Sequence, residues 1–168
     1  MLYYTLVASL PQLPYFAEAE WLPLSRKQLE QRLSMLTLEH RRQLELAESV
    51  VKWQHQSIVR TTAQVVANYR RLLPEITDPV LREFVEYRMA QRTALVGLRR
   101  RRLGRGTPTP GESWGVGPWM QLMVAGWDRS DFGLGQLLPW LGEAANVLDS
   151  GDAMQLGLER QKAKGDHG

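Results

Sequence analysis

The chain contains no cysteine. Disulfides, thiolate-held zinc, iron–sulfur clusters and cysteine nucleophiles are therefore excluded within it, and a reducing, cytoplasmic compartment is the expectation. Histidine is scarce: His40 and His55 lie fifteen positions apart and His167 is near the end. No two of them have the i, i+4 spacing of a helical metal site, so no metal is expected. No apolar run approaches the about 18–20 residues of a spanning helix. The opening MLYYTLVASLPQLP has no basic residue ahead of its apolar stretch, so no signal peptide is expected. Phosphate-cradling loops are missing too. Gly104-Arg105-Gly106 and Gly115-Val116-Gly117 are not followed by the Lys-Ser/Thr that a nucleotide loop requires. Asp131-Phe132-Gly133 spells the magnesium motif of kinases, but no glycine-rich loop, strand lysine or His-Arg-Asp loop precedes it. The acid pairs Glu45/Glu48 and Glu83/Glu86 have Arg41, Arg42 and Arg82 beside them and read as ion-pair faces. No catalytic residue, cofactor or small-molecule substrate is expected.

What is present is enough apolar residue, 43% of 168, for one domain with a hydrophobic core. Leu2 to Leu10, rich in aromatic and β-branched residues and stopped by Pro11, reads as a short strand or extended segment. Pro11 to Pro23 reads as an ordered connector. Ser25 with Gln28 is a capping box, opening a helix with Leu29, Leu33 and Leu36 at helical spacing. Thr37 is a second N-cap, and the helix after it has no Gly or Pro from Leu38 to Leu73. Apolar residues recur there every seven positions at Leu44, Val51, Ile58, Val65 and Leu72. The companion seam (Ala47, Gln54, Thr61, Asn68) is mostly polar, so a long amphipathic helix is expected rather than a coiled coil. Asp78-Pro79 restarts a helix that should end near Leu103, before Gly104.

The expected fold is therefore mainly α. A long antiparallel hairpin (38–73 with 79–103) sits in a small helical bundle, behind a short extended N-terminal segment. Within this single domain, 104–118 reads as a flexible Gly/Pro loop. Residues 119–162 read as Trp-rich short helices, covering Pro118–Ala125, Leu134–Leu148 with a bend at Pro139, and about Asp152–Lys162. Residues 163–168 read as a frayed tail.

Lysine is nearly missing, and arginine supplies 17 of the 21 basic residues. Arg88, Arg92, Arg99, Arg100, Arg101, Arg102 and Arg105 all fall in 87–111, which has no acid. That stretch carries +7 against a chain total of +3, so the remainder sums to −4. Three readings stay open. The run can be a solvated basic helix end, favoured by the helix dipole. It can be a docking patch for an acidic protein partner, with planar guanidinium forks as the recognition groups. It can also bind nucleic acid or anionic lipid, although aromatics are not interleaved with the arginines as single-strand platforms require. Trp119, Trp127 and Trp140 read as core, with Trp119 and Trp127 as candidate interface anchors.

The opening YYTLVASLPQL (3–13) resembles the start of an uncharacterised bacterial family encoded beside V-type (A/V-type) ATPase subunits. Three further stretches share the resemblance: Phe84 through the arginines to Gly104, Trp127 to Leu134, and Ser150 to Asp152 with Leu158 to Arg160. A helix ending in an Arg-rich turn and then Gly also looks like the all-helical socket component that sits between the rotary stalk and the membrane ring of these ATPases. The resemblance implies a mostly helical, non-catalytic accessory or stalk component, at the cytoplasmic face of a membrane complex and touching the membrane only through that complex. Other ATPase subunits would be its partners, docked through Arg88–Arg105 and nearby apolar surface. The chain is far shorter than the socket component and has no room for its three helical lobes.

Overall fold

The structure, a computed structural model, describes residues 3–12, 21–52 and 61–150. Seven α-helices occur among them: α1 Tyr4–Ser9, α2 Arg26–Leu33, α3 Leu38–Val51, α4 Thr62–Leu72, α5 Pro79–Arg102, α6 Met120–Ala125 and α7 Trp140–Ser150. A 3-10 turn, Leu73–Glu75, continues α4. The described residues contain no strand.

Local capping chemistry sets most boundaries. Ser25 and Gln28 form the reciprocal capping box of α2, and the Thr37 side chain accepts the His40 amide at the start of α3. Asp78 accepts the Leu81 amide at 2.9 Å, with Pro79 occupying the first turn of α5. Gly104 ends α5 in a left-handed conformation (φ 68°). Its amide and that of Arg105 donate to the carbonyls of Arg101 and Arg100 at 2.9 and 3.1 Å.

The N-terminal run is not extended. Tyr4–Ser9 is helical, although its Tyr, Thr and Val favour strands. Tertiary contacts override that preference. The Tyr3 hydroxyl accepts the Thr37 amide at 3.2 Å and is hydrogen-bonded to His40 Nδ1, its ring meets the His40 ring edge-on, and Leu6 is buried. The 38–73 stretch also departs from one long helix. Lys52, just after α3, is extended, and α4 begins under a second capping box, Thr61 with Gln64. Residues 53–60 lie outside the described residues. So do the connector residues 13–20, the 152–162 helix and the 163–168 tail. The helix expected over Leu134–Leu148 starts at Trp140, after Pro139, rather than at Leu134.

Two apolar clusters form the core, and α5 runs through both. Val85 and Met89 join Val50, Val65, Val66 and Ile76 in the first. Ala94 and Leu98 join Met123, Phe132, Leu134, Leu138 and Leu141 in the second. Fully burying a side chain such as Ile76 or Phe132 contributes about 1.5–3 kcal/mol. The 3-10 turn and the chain that follows it are anchored by buried Gln43 of α3. Its amide nitrogen donates to the Glu75 carbonyl at 3.2 Å and its oxygen accepts the Thr77 amide at 2.8 Å. That bracket fixes where α5 begins. Within 104–118, residues 104–107 and 109–112 are exposed, while Trp114, Gly115 and Val116 are buried against α5. Small residues of α5 admit this segment: a Cβ on Gly115 would lie 2.2 Å from Thr93 Cγ2, and one on Gly117 2.8 Å from Ala90 Cβ.

Candidate interaction surface

Helical geometry separates the four consecutive arginines at the end of α5. Arg100 and Arg101 turn toward the protein, while Arg99 and Arg102 stay exposed. Arg100 Nε donates to the Gly106 carbonyl at 2.9 Å and its guanidinium pairs with Glu112, leaving a side chain only 17% exposed. The Arg100 hydrogen bond, with that of the Thr109 amide, holds the Glu112 carboxyl below the usual carboxylate range. Arg101 reaches a different loop. It donates to the carbonyls of Trp127 (3.3 Å), Ser130 (2.8 Å) and Arg129, and lies 4.7 Å above the Phe132 ring. These two side chains clamp 106–112 and 127–132 onto the helix end, so they hold the fold and are not available to a partner.

Of the other arginines in the 87–111 stretch, Arg99, Arg102 and Arg105 are exposed and form no ion pair among the described residues. Arg88 is exposed and donates to Gln91 at 3.0 Å. Arg92 is half-buried, and burial followed by the charge of Arg99 lowers its pKa from the ordinary arginine value.

Trp127, a candidate anchor by sequence, is 7% exposed and packs in the second cluster, edge-on to Trp114 and tilted against Phe132. It is core, with its backbone carbonyl accepting from Arg101 and its ring packed on Phe132. Trp119 is half-buried and meets Tyr87 edge-on, ring centroids 5.8 Å apart. Together with Pro118 and the α5 residues Val80, Phe84 and Tyr87 it lines an open, mostly apolar groove of about 430 Å³, with Glu83 and Glu86 also in the lining. Val80, Phe84 and Tyr87 are 72%, 48% and 46% exposed. Of this groove the sequence reading singles out Trp119 alone. The rest of its signal is the set of apolar residues at 80, 84 and 87, a helical spacing separate from the buried Val85/Met89 face.

The Asp-Phe-Gly motif is a turn. Asp131 accepts the amides of Gly133 and Gly135 at 2.8 and 3.0 Å, which lowers its pKa, and Phe132 takes the left-handed φ of 54° with its ring fully buried. No group of His, Asp and Glu able to hold a metal ion occurs among the described residues. No helix among them is long and apolar enough to cross a membrane. Comparison with protein-family models, with curated proteins and with solved structures gave no match.

Proposed function

We propose that this chain is a non-catalytic interaction subunit that docks through α5, at the cytoplasmic face of a V-type ATPase. The observation that carries the docking reading is the division of the arginine run. Arg100 and Arg101 are held by the protein itself, so Arg99, Arg102 and Arg105 are presented on a braced helix end instead of a fraying one. A positive patch of this kind gives specificity and fast association with an acidic protein surface. The ATPase as the assembly rests on the sequence resemblance alone. The test is binding of the purified chain to isolated ATPase subunits, with wild type compared with the double variant Arg99→Glu/Arg102→Glu. These substitutions spare the two clamping arginines. Wild-type binding weakened about tenfold or more by the reversal supports the reading. Unchanged binding removes the arginine role, and no wild-type binding to any of the subunits removes the assembly. The alternative is a nucleic-acid-associated role for the same arginines. It requires affinity that falls steeply with salt, and the absence of a gel shift at low salt removes it.

A further inference from the structure

The groove beside Trp119 is short and closed at one end. Along α5 it runs from Val80 to Ala90, about 15 Å of helix. Beyond it Ala94 and Leu98 continue the side of Ala90 at helical spacing and are buried in the core. The chain at Gly117 closes over Ala90 so tightly that a Cβ there would lie 2.8 Å from Ala90 Cβ. A long helix therefore has no path onward from the groove, whereas a compact ligand has a floor and an end wall. The rings of Tyr87 and Trp119 stand at 88° to each other, centroids 5.8 Å apart, and Phe84 adds a third ring to the lining. We propose that this groove is a binding site for a small organic cation, an alkylated ammonium of the choline type. The inference goes beyond the docking reading and uses none of the exposed arginines.

The lining sets the class of ligand. Aromatic faces carry a negative quadrupole and attract a cation, most strongly where several rings meet. Two carboxylates share the lining, and no basic residue is among the described residues that form it. Glu83 is exposed and forms no ion pair among the described residues, whereas Glu86 pairs with Arg82 at 3.6 Å. An anion would meet acids and ring faces with no cation to hold it. A neutral apolar molecule would use the rings and leave the acids without a counter-charge. An alkylated ammonium satisfies both halves of the lining. Its methyl groups spread the charge, weaken its hydration and pack on the apolar walls, while its positive centre faces the rings and Glu83. The volume of about 430 Å³ also suits a small molecule, since such sites span about 300–1,000 Å³.

The test is an NMR titration of the full chain with choline chloride, with sodium chloride as the blank. The expected result is saturable shifts at the Trp119 indole N–H and at the amides around Phe84 and Tyr87. The tert-butyl analogue of choline has the same shape without the charge, and it should bind about tenfold more weakly. Tyr87→Ala should weaken choline binding about threefold or more, and Tyr87→Phe, which keeps the ring, should retain it. Glu83→Gln should weaken it about two- to fivefold. Each variant is checked for folding by circular dichroism. Equal binding of the uncharged analogue, unchanged affinity in Tyr87→Ala, or no saturable shift with choline overturns the proposal. A trimethyllysine peptide that binds about tenfold more tightly than choline would assign the groove to a partner protein and overturn the small-molecule class. A dimer in sedimentation that Phe84→Ala dissociates would place a second copy in the groove and overturn it as well. No readout involves an ATPase component or Arg99 and Arg102, so failure here is distinguishable from failure of the docking reading.

Discussion

The hydroxyl of Thr93, in the middle of α5, accepts the amide of Val116 at 2.9 Å and sits 2.8 Å from the carbonyl of the same residue. Both residues are buried, and the contact lies where α5 passes from the first apolar cluster to the second. Thr93→Val keeps the shape and removes the hydroxyl, leaving the Val116 amide buried without a partner. A loss of about 1–3 kcal/mol is expected, read as a lower urea midpoint with an unchanged slope.

Gly115 is tied to the same threonine by space. Gly115→Ala places its methyl 2.2 Å from Thr93 Cγ2 and should cost about 1–3 kcal/mol. Thr93→Ser removes that methyl and keeps the hydroxyl, so the double variant should recover part of the loss. A double-mutant cycle reads the coupling, and strictly additive effects would contradict this close packing.

Neighbouring arginines should behave unequally. Arg101→Ala deletes hydrogen bonds to three carbonyls and the contact over Phe132, for an expected loss of about 2–3 kcal/mol in unfolding free energy. Lysine should not restore it, because one ammonium cannot reproduce the planar fork. Arg99→Ala should stay within about 0.5 kcal/mol of wild type.

Gln43→Leu tests the bracket before α5. It strips partners from the Glu75 carbonyl and the Thr77 amide, and the 3.4 Å contact to the Asp78 amide goes with them. The expected cost is about 2–4 kcal/mol despite the more apolar side chain, measured by thermal unfolding.

Acid should loosen the two loops that α5 clamps. Glu112 and Asp131 both have folded pKa values below their ordinary ones, the first through Arg100 and the Thr109 amide, the second through the amides of Gly133 and Gly135. The unfolded chain therefore takes up protons first. The stabilisation is complete above the ordinary carboxylate range, near pH 4, and is lost as pH falls below it through the lowered values. Tryptophan fluorescence should follow the change through Trp114 and Trp127. Glu112→Gln should be less stable than wild type at neutral pH, and the two curves should converge in acid.

Much of the helical outline is legible in local chemistry. Ser25, Thr37 and Asp78 each satisfy amides within three residues, and Gly104 terminates α5, so their signals need no knowledge of the fold. Thr61 with Gln64 carries the same signature as Ser25 with Gln28. It is obscured because Val65 and Leu72 continue the seven-residue pattern begun by Leu44 and Val51. The pattern crosses the interruption because α3 and α4 both pack on the first cluster. Helical geometry implies that four consecutive arginines cannot share a face. Which two turn inward depends on where Glu112 and the Trp127–Ser130 carbonyls return in space, and that is set by the packing of Thr93, Gly115 and Phe132. The same return buries Trp127 and exposes the Phe84–Tyr87 groove, so the candidate site is legible in its charges and hidden in its apolar half.

The passage of α5 through both clusters has a mechanical consequence. The first half of the helix is held by α3 and the second by α7, and its outer side runs past the junction at Thr93. Opening of the Thr93–Val116 contact would therefore loosen both halves together. Amide hydrogen exchange in a Thr93→Val variant should quicken in both clusters at once, not only beside the substitution.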